Sequence, residues 1–126
     1  MLLPWRDEFV LGHESMDGTH KEFVDLINRV DDIGDADFSS YFDELLEHTR
    51  RHFESELELM KSSRFLSLRE HEDDHNRILA EMMQMQRFAN RGMIKIPRAY
   101  IREKLPDWFG VHAASMDIAL ALHLKQ

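Results

Sequence analysis

At 126 residues the chain is long enough to bury one hydrophobic core and too short to divide into two. Twenty-four acidic against sixteen basic residues give a formal charge of −8, which repels phosphate backbones and anionic headgroups, so nucleic acid and membrane surfaces are poor partners. The absence of cysteine excludes disulfides, thiolate metal sites and thiol catalysis together.

No apolar run nears the roughly 18 residues of a membrane-spanning helix. The opening Met1-Leu2-Leu3-Pro4-Trp5-Arg6 lacks a signal peptide's basic and apolar blocks, so a cytoplasmic location is expected. Residues 1–16, with Trp5, Phe9 and Gly12, read as a non-helical arm packed across the rest. Between Thr19 and Arg91 the only proline or glycine is Gly34, and apolar residues recur at spacings of three and four, which is helical periodicity.

The first helix is expected over about residues 18–32, with Asp17 as N-cap and His20, Phe23, Ile27 and Val30 inward. The second, about 38–61, follows an acidic connection and turns Phe42, Leu45, Thr49, His52, Glu56 and Leu59 inward. The third, about 68–90, opens on Ser67-Leu68-Arg69-Glu70, a capping-box pattern. Its inner face carries His71, His75, Ile78, Met82, Met85 and Ala89.

The fourth helix, about 98–123, places Ile101, Leu105, Trp108, His112, Ser115, Ala119 and Leu122 inside. Pro106 predicts a kink near Arg102 or a restart at Leu105. Short connections between four comparable helices predict one all-α domain, an antiparallel up-down-up-down four-helix bundle with the arm at its N-terminus.

Residues four apart share a helix face, so His52 with Glu56 and His71 with His75 are two-pronged donors. A single such pair is common on a solvated face. Both pairs, however, replace apolar residues on inner stripes, where an unpaired imidazole or carboxylate costs on the order of 1–3 kcal/mol, and metal coordination removes that penalty. His112 and Asp117 are five apart, about 140° around a regular α-helix, and would flank the metals from two sides unless a π-type turn aligns them. With His20 these make seven nitrogen and oxygen donors, the number two iron ions would use; imidazole with carboxylate suits iron, manganese, zinc or copper.

His13 in the arm and His123 at the C-terminus are expected in solvent. His48, one turn before His52, is assigned an outer role that orients a metal-bound imidazole. Met82, Met83, Met85 and Trp108 are assigned to the core. A ferritin-like oxidase needs two Glu-x-x-His pairs, and here only Glu72 and His75 fit that spacing.

Four motifs in order resemble the hemerythrin family, in particular its single-domain bacterial members: Asp17-Gly18-Thr19-His20-Lys21 after Trp5 and Gly12; His52-Phe53-Glu54-Ser55-Glu56; His71-Glu72-Asp73-Asp74-His75; and Trp108-Phe109-Gly110-Val111-His112 through Asp117. The resemblance implies that His71, His75 and His112 hold one iron and His20 and His52 the other. Glu56, Asp117 and an oxo or hydroxo group would bridge them. It implies reversible binding of dioxygen, or of another small diatomic or anionic ligand, for storage, delivery or sensing, and no enzymatic turnover. Ala114 stands where relatives often carry a bulky aliphatic side chain. A smaller side chain beside the open iron motivates the alternative, an enzyme reducing peroxide or nitric oxide; iron or zinc binding without gas chemistry is a third reading.

Overall fold

A computed structural model describes residues 3–126, apart from the side chain of Glu8. Met1 and Leu2, which open the segment read for a signal peptide, lie outside the described residues. Four helices follow the arm: α1 (Glu14–Asn28), α2 (Asp35–Ser62), α3 (Leu68–Asn90) and α4, a rod over residues 95–124. Hydrogen bonds pair the start of α2 with the end of α3 (Ser39 with Asn90, 2.6 Å), and α4 runs against α3, Tyr100 meeting Glu81 (3.2 Å) and the later Trp108 the earlier Asp74 (2.9 Å). Tyr41 of early α2 likewise donates to the Leu26 carbonyl of late α1, at 2.7 Å, as an antiparallel up-down-up-down bundle requires. Among the described residues no helix is long and apolar enough to cross a membrane.

The first helix starts four residues earlier than its sequence pattern suggests. His13, not Asp17, caps it, its Nδ1 accepting from the Met16 amide at 3.3 Å. Asp17, already inside the first turn, instead accepts from the amides of Leu11 (2.7 Å) and Gly12 (3.1 Å), tying the arm to the helix. The arm holds one short 3-10 turn, Asp7–Phe9. Leu3 is pinned to α1 by Asn28, which takes its amide at 2.7 Å and gives to its carbonyl at 2.8 Å. The capping box at Ser67 does not form, because Ser67 makes no side-chain cap bond. α3 stops at Gly92, whose positive φ of 79° lets the Met93 amide fold back to the Phe88 carbonyl.

The fourth helix differs most from a regular α-helix. It runs as Lys95–Ala99, a π turn at Tyr100–Lys104, Leu105–His112, a second π turn at Ala113–Asp117, and Ile118–Leu124. The first π turn takes up the misfit of Pro106, so the winding stays continuous and regular α-helix resumes at Leu105, the restart point the sequence allowed. The second inserts one residue into the period. Beyond it Asp117, Leu120 and Ala121 face inward, while Ser115, Ala119 and Leu122, which α-helical spacing placed inside, are exposed.

The apolar interior falls into two clusters. The larger is built on Phe23, Phe42, Leu45, Ile78, Leu105 and Phe109; the smaller on Leu11, Met16, Met60, Leu120 and Ala121. Along every helix the predicted donors lie between them, so the bundle carries a polar layer inside a dry core.

Candidate metal centre

Each of the seven sequence-predicted donors is buried: His20 from α1, His52 and Glu56 from α2, His71 and His75 from α3, His112 and Asp117 from α4, none more than 6% exposed. On α2 and α3 the four-residue spacing brings each pair to one height. On α4 the π turn does the same across five residues, bringing His112 Nε2 to 3.0 Å from Asp117 Oδ1.

All five imidazoles present Nε2 to the carboxylates or, for His75 and His112, to each other as well. Glu56 Oε1 is 3.0 Å from His71 and 3.6 Å from His75, while its Oε2 contacts His52. Asp117 Oδ1 lies 3.1 Å from His71 and 3.0 Å from His112, and its Oδ2 is 2.9 Å from His20. Each carboxylate therefore turns one oxygen to a three-histidine group and the other to a two-histidine group. His75 Nε2 and His112 Nε2 stand 3.0 Å apart. Two donor sets that could hold a metal result, Glu56-His71-His75-His112-Asp117 and His20-His52-Glu56, with ligating atoms within 4.8 Å of one another in each.

The fit to metal ions is a matter of where these atoms aim. Despite its two close imidazoles, Asp117 Oδ1 has no hydrogen bond, because neither ring nitrogen is directed at it. Buried polar atoms are normally satisfied, so a carboxylate oxygen left unbonded between two imidazoles, among the described residues, suits a cation there.

Without metal, protons do part of that work. Burial opposes charge on His71, but the Asp117 and Glu56 carboxylates beside its Nε2 outweigh it and raise its pKa to about 9. His20 is raised in the same way, against burial, by Asp117 and the Phe9 carbonyl. His75 goes the other way, to about 3, because burial and the neighbouring His112 and His71 disfavour its charged form. Glu56 and Asp117 resist the effect of burial and stay low, Glu56 held by His52 and His71, Asp117 by His112, His20 and His71.

The outer edges of the imidazoles have unequal partners. His20 Nδ1 donates to the Phe9 carbonyl at 3.2 Å. His112 Nδ1 donates to Asp74 Oδ2 at 2.8 Å. His71 Nδ1 has no partner among the described residues. Phe53 stacks on His75 at 3.7 Å, Trp108 stacks on His112 at 4.7 Å, and Phe109 sets its edge against His20 at 5.2 Å. Sequence reasoning missed Asp74 and the Phe9 carbonyl. Asp74 stands beside Glu72 and Asp73 in an acidic run, and nothing in the sequence separates it from those neighbours.

Of the remaining histidines, His48 donates from Nε2 to Glu22 at 3.0 Å and contacts no donor directly. It lines, with Thr19, Glu22, Arg51 and His52, a groove of about 510 Å³ between α1 and α2. His13 is half-buried as the cap of α1, and His123 bonds the Ser63 carbonyl at 2.8 Å, so neither is free in solvent as the sequence suggested. The expectation for Ala114 also fails. It is exposed and lines a surface groove with Leu3, Pro4, Phe9 and Val111, on the outer side of the π turn that turns Asp117 inward.

The family model of the hemerythrin HHE cation binding domain matches residues 11–121. A bacteriohemerythrin from Ralstonia nicotianae is 33% identical over 125 residues, covering 99% of this chain and 90% of that protein. A crystal structure of wild-type hemerythrin superposes with a TM-score of 0.87 over the whole of both chains at 21% identity. Another, of a leucine-to-phenylalanine mutant, does so at 0.86 and 22% identity, covering 99% of this chain and 98% of that one. At these identities the structures speak for the fold, whereas the family model and the relative from Ralstonia each span most of the sequence, and on that ground the chain belongs to the hemerythrin family.

Proposed function

We propose that the seven side chains hold two iron ions, bridged by Glu56, Asp117 and an oxo or hydroxo group, and that the protein binds dioxygen reversibly. The observation that carries this reading is the division of the carboxylate oxygens, one from each of Glu56 and Asp117 toward either histidine group. One metal would use one oxygen of each and leave buried donors unpaired. Imidazole and carboxylate without thiolate suit iron.

In this reading His71, His75 and His112 would hold one iron and His20 and His52 the other, whose set is one histidine smaller and would leave room for dioxygen. A pair of ferrous ions, when bound, supplies the two electrons that reversible dioxygen binding needs. The chain's own part is to orient and to keep dry. Phe9, Phe23 and Phe109, each at most 2% exposed, wall the His20 side, and excluding water protects a gas adduct from hydrolytic loss.

The alternative of peroxide or nitric oxide reduction drew on an enlarged pocket at Ala114. With Ala114 on the outer surface, that support is gone. Storage, delivery or sensing of dioxygen remains the function the geometry supports best.

Anaerobic loading with ferrous iron, elemental analysis, and visible and resonance Raman spectra on admitting air test the reading. Two irons per chain and an oxygen-dependent band that disappears under vacuum are expected. One metal per chain at full loading, or zinc in a mononuclear site, would sink it.

A further inference from the structure

Asp74 stands just outside the cluster and turns one of its two oxygens to a pair of donors on α4. Asp74 Oδ2 accepts from His112 Nδ1 at 2.8 Å and from the Trp108 indole Nε1 at 2.9 Å, while Oδ1 takes Arg77 at 2.9 Å. We propose that Asp74 is a positioning residue for the three-histidine group, holding His112 in the tautomer that offers Nε2 inward and clamping Trp108 against the same ring. The proposal rests on reading the seven side chains as a metal site.

A neutral imidazole carries one N–H, so donating it from Nδ1 leaves the lone pair on Nε2, the atom 3.0 Å from Asp117. A charged acceptor makes that bond stronger than a neutral one and makes the ring a better donor to a cation. The histidines differ in this respect: His20 has a carbonyl in the corresponding place and His71 has nothing.

The second bond extends the effect. Trp108 lies over His112 with planes 22° apart and meets Phe53 edge-on at 6.0 Å, and Phe53 lies parallel to His75. Fixing the indole therefore braces the aromatic cover of two imidazoles. Arg77, engaging the other oxygen, leaves Oδ2 to its two donors.

The test is Asp74→Asn, which keeps the shape and removes the charge, compared with Asp73→Asn on the exposed side of the same turn. In metal-free protein, nitrogen-15 NMR should show His112 changing from a single Nδ1–H tautomer to a mixture, with a shifted Trp108 indole resonance. Titration with Co²⁺ alone against a competing chelator should show about 10- to 100-fold weaker binding of one of two equivalents. Asp73→Asn should change neither. Should Asp74→Asn fail to fold, Asp74→Glu keeps the charge but moves it by one methylene, and a smaller loss of affinity with a shifted indole resonance is expected.

An unchanged tautomer together with unchanged Co²⁺ affinity in a folded Asp74 variant overturns the proposal. Lower thermal stability with the tautomer and affinity intact also overturns it, since that is a structural role only. If the unaltered protein takes up no Co²⁺, the metal reading fails, and the tautomer measured without metal still decides whether Asp74 positions His112.

Discussion

On the side of His71, His75 and His112, flat aromatic rings cover two of the three imidazoles and a carboxylate grips the outer nitrogen of one. On the side of His20 and His52, the outer nitrogen of His20 hangs on a backbone carbonyl of the arm, and His52 borders the groove between α1 and α2. The first environment is stiff, because stacked rings and a charge-assisted bond leave little room for rotation. The second depends on the arm, which reaches the cluster through one short 3-10 turn and not from a regular helix. On the proposed reading, in which the centre keeps its metals and still admits a ligand, that division would let the first half hold and leave the second for the ligand.

The largest effect should come from removing what the two halves share. Glu56 contacts His52 on one side and His71 on the other, so Glu56→Ala removes a ligand from both groups and strands buried imidazoles. We expect loss of both metals and a stability cost of about 3 to 5 kcal/mol in the metal-free protein, the range for removing one partner of a buried ionic pair. Elemental analysis and urea unfolding measure the two. A mutant that keeps two irons with unchanged spectra refutes the bridge.

The metal-free protein should also respond to pH in both directions. His71, raised from the usual 6.5 to about 9, adds stability that is complete below pH 6.5 and disappears as pH rises through about 9; His20 acts in the same sense. His75, lowered to about 3, adds stability present above pH 6.5 that is lost as pH falls toward 3. The depressed Glu56 and Asp117 add to the acid loss below their ordinary range. Stability without metal should therefore peak near pH 6.5. Metal takes the place of the protons on His71 and His20, so loading should flatten the alkaline limb. Urea midpoints across that range check it; a midpoint that keeps rising above pH 7 in the metal-free protein contradicts the assignment of a charged His71.

Phe9→Ala should divide the two sides. Phe9 is buried against Phe109 at 5.0 Å and Trp5 at 5.6 Å, and its carbonyl holds His20. Losing the ring should cost about 3 kcal/mol and loosen the arm. Co²⁺ titration should then show weakening at the two-histidine group with the three-histidine group near normal. Equal weakening of both would mean that the arm braces the whole cluster.

How much of this was legible in the sequence depends on the backbone carrying each residue. His52 with Glu56 and His71 with His75 sit on regular α-helix, where spacing alone predicts a shared face. His112 and Asp117 needed a π turn, which the spacing raised only as the exception to a two-sided arrangement. The inserted residue then displaced every later prediction on that helix, so Ser115, Ala119 and Leu122 were placed inside and Leu120 and Ala121 were not. Asp74 was hidden for another reason. Its role depends on Trp108 and His112 of a different helix, and tertiary partners leave no local periodicity.

The smallest effect is expected at Ala114. A side chain beside the open position would govern access, and Ala114→Leu would then slow both azide binding and loss of bound oxygen. The structure puts Ala114 on the outer surface of α4, in a groove shared with Leu3, Pro4 and Phe9, while the groove that reaches His52 lies between α1 and α2. An added isobutyl group there meets the arm and not the cluster. Stability should shift by no more than about 0.5 kcal/mol, the usual range for surface substitutions. Stopped-flow rates for azide and for oxygen loss should match those of the unaltered protein. Substituting His48 in the α1/α2 groove should change them instead, because that ring lies beside His52 and bonds Glu22 across the two helices. If Ala114→Leu slows azide while His48→Leu does not, the ligand enters past the arm and not through the α1/α2 groove.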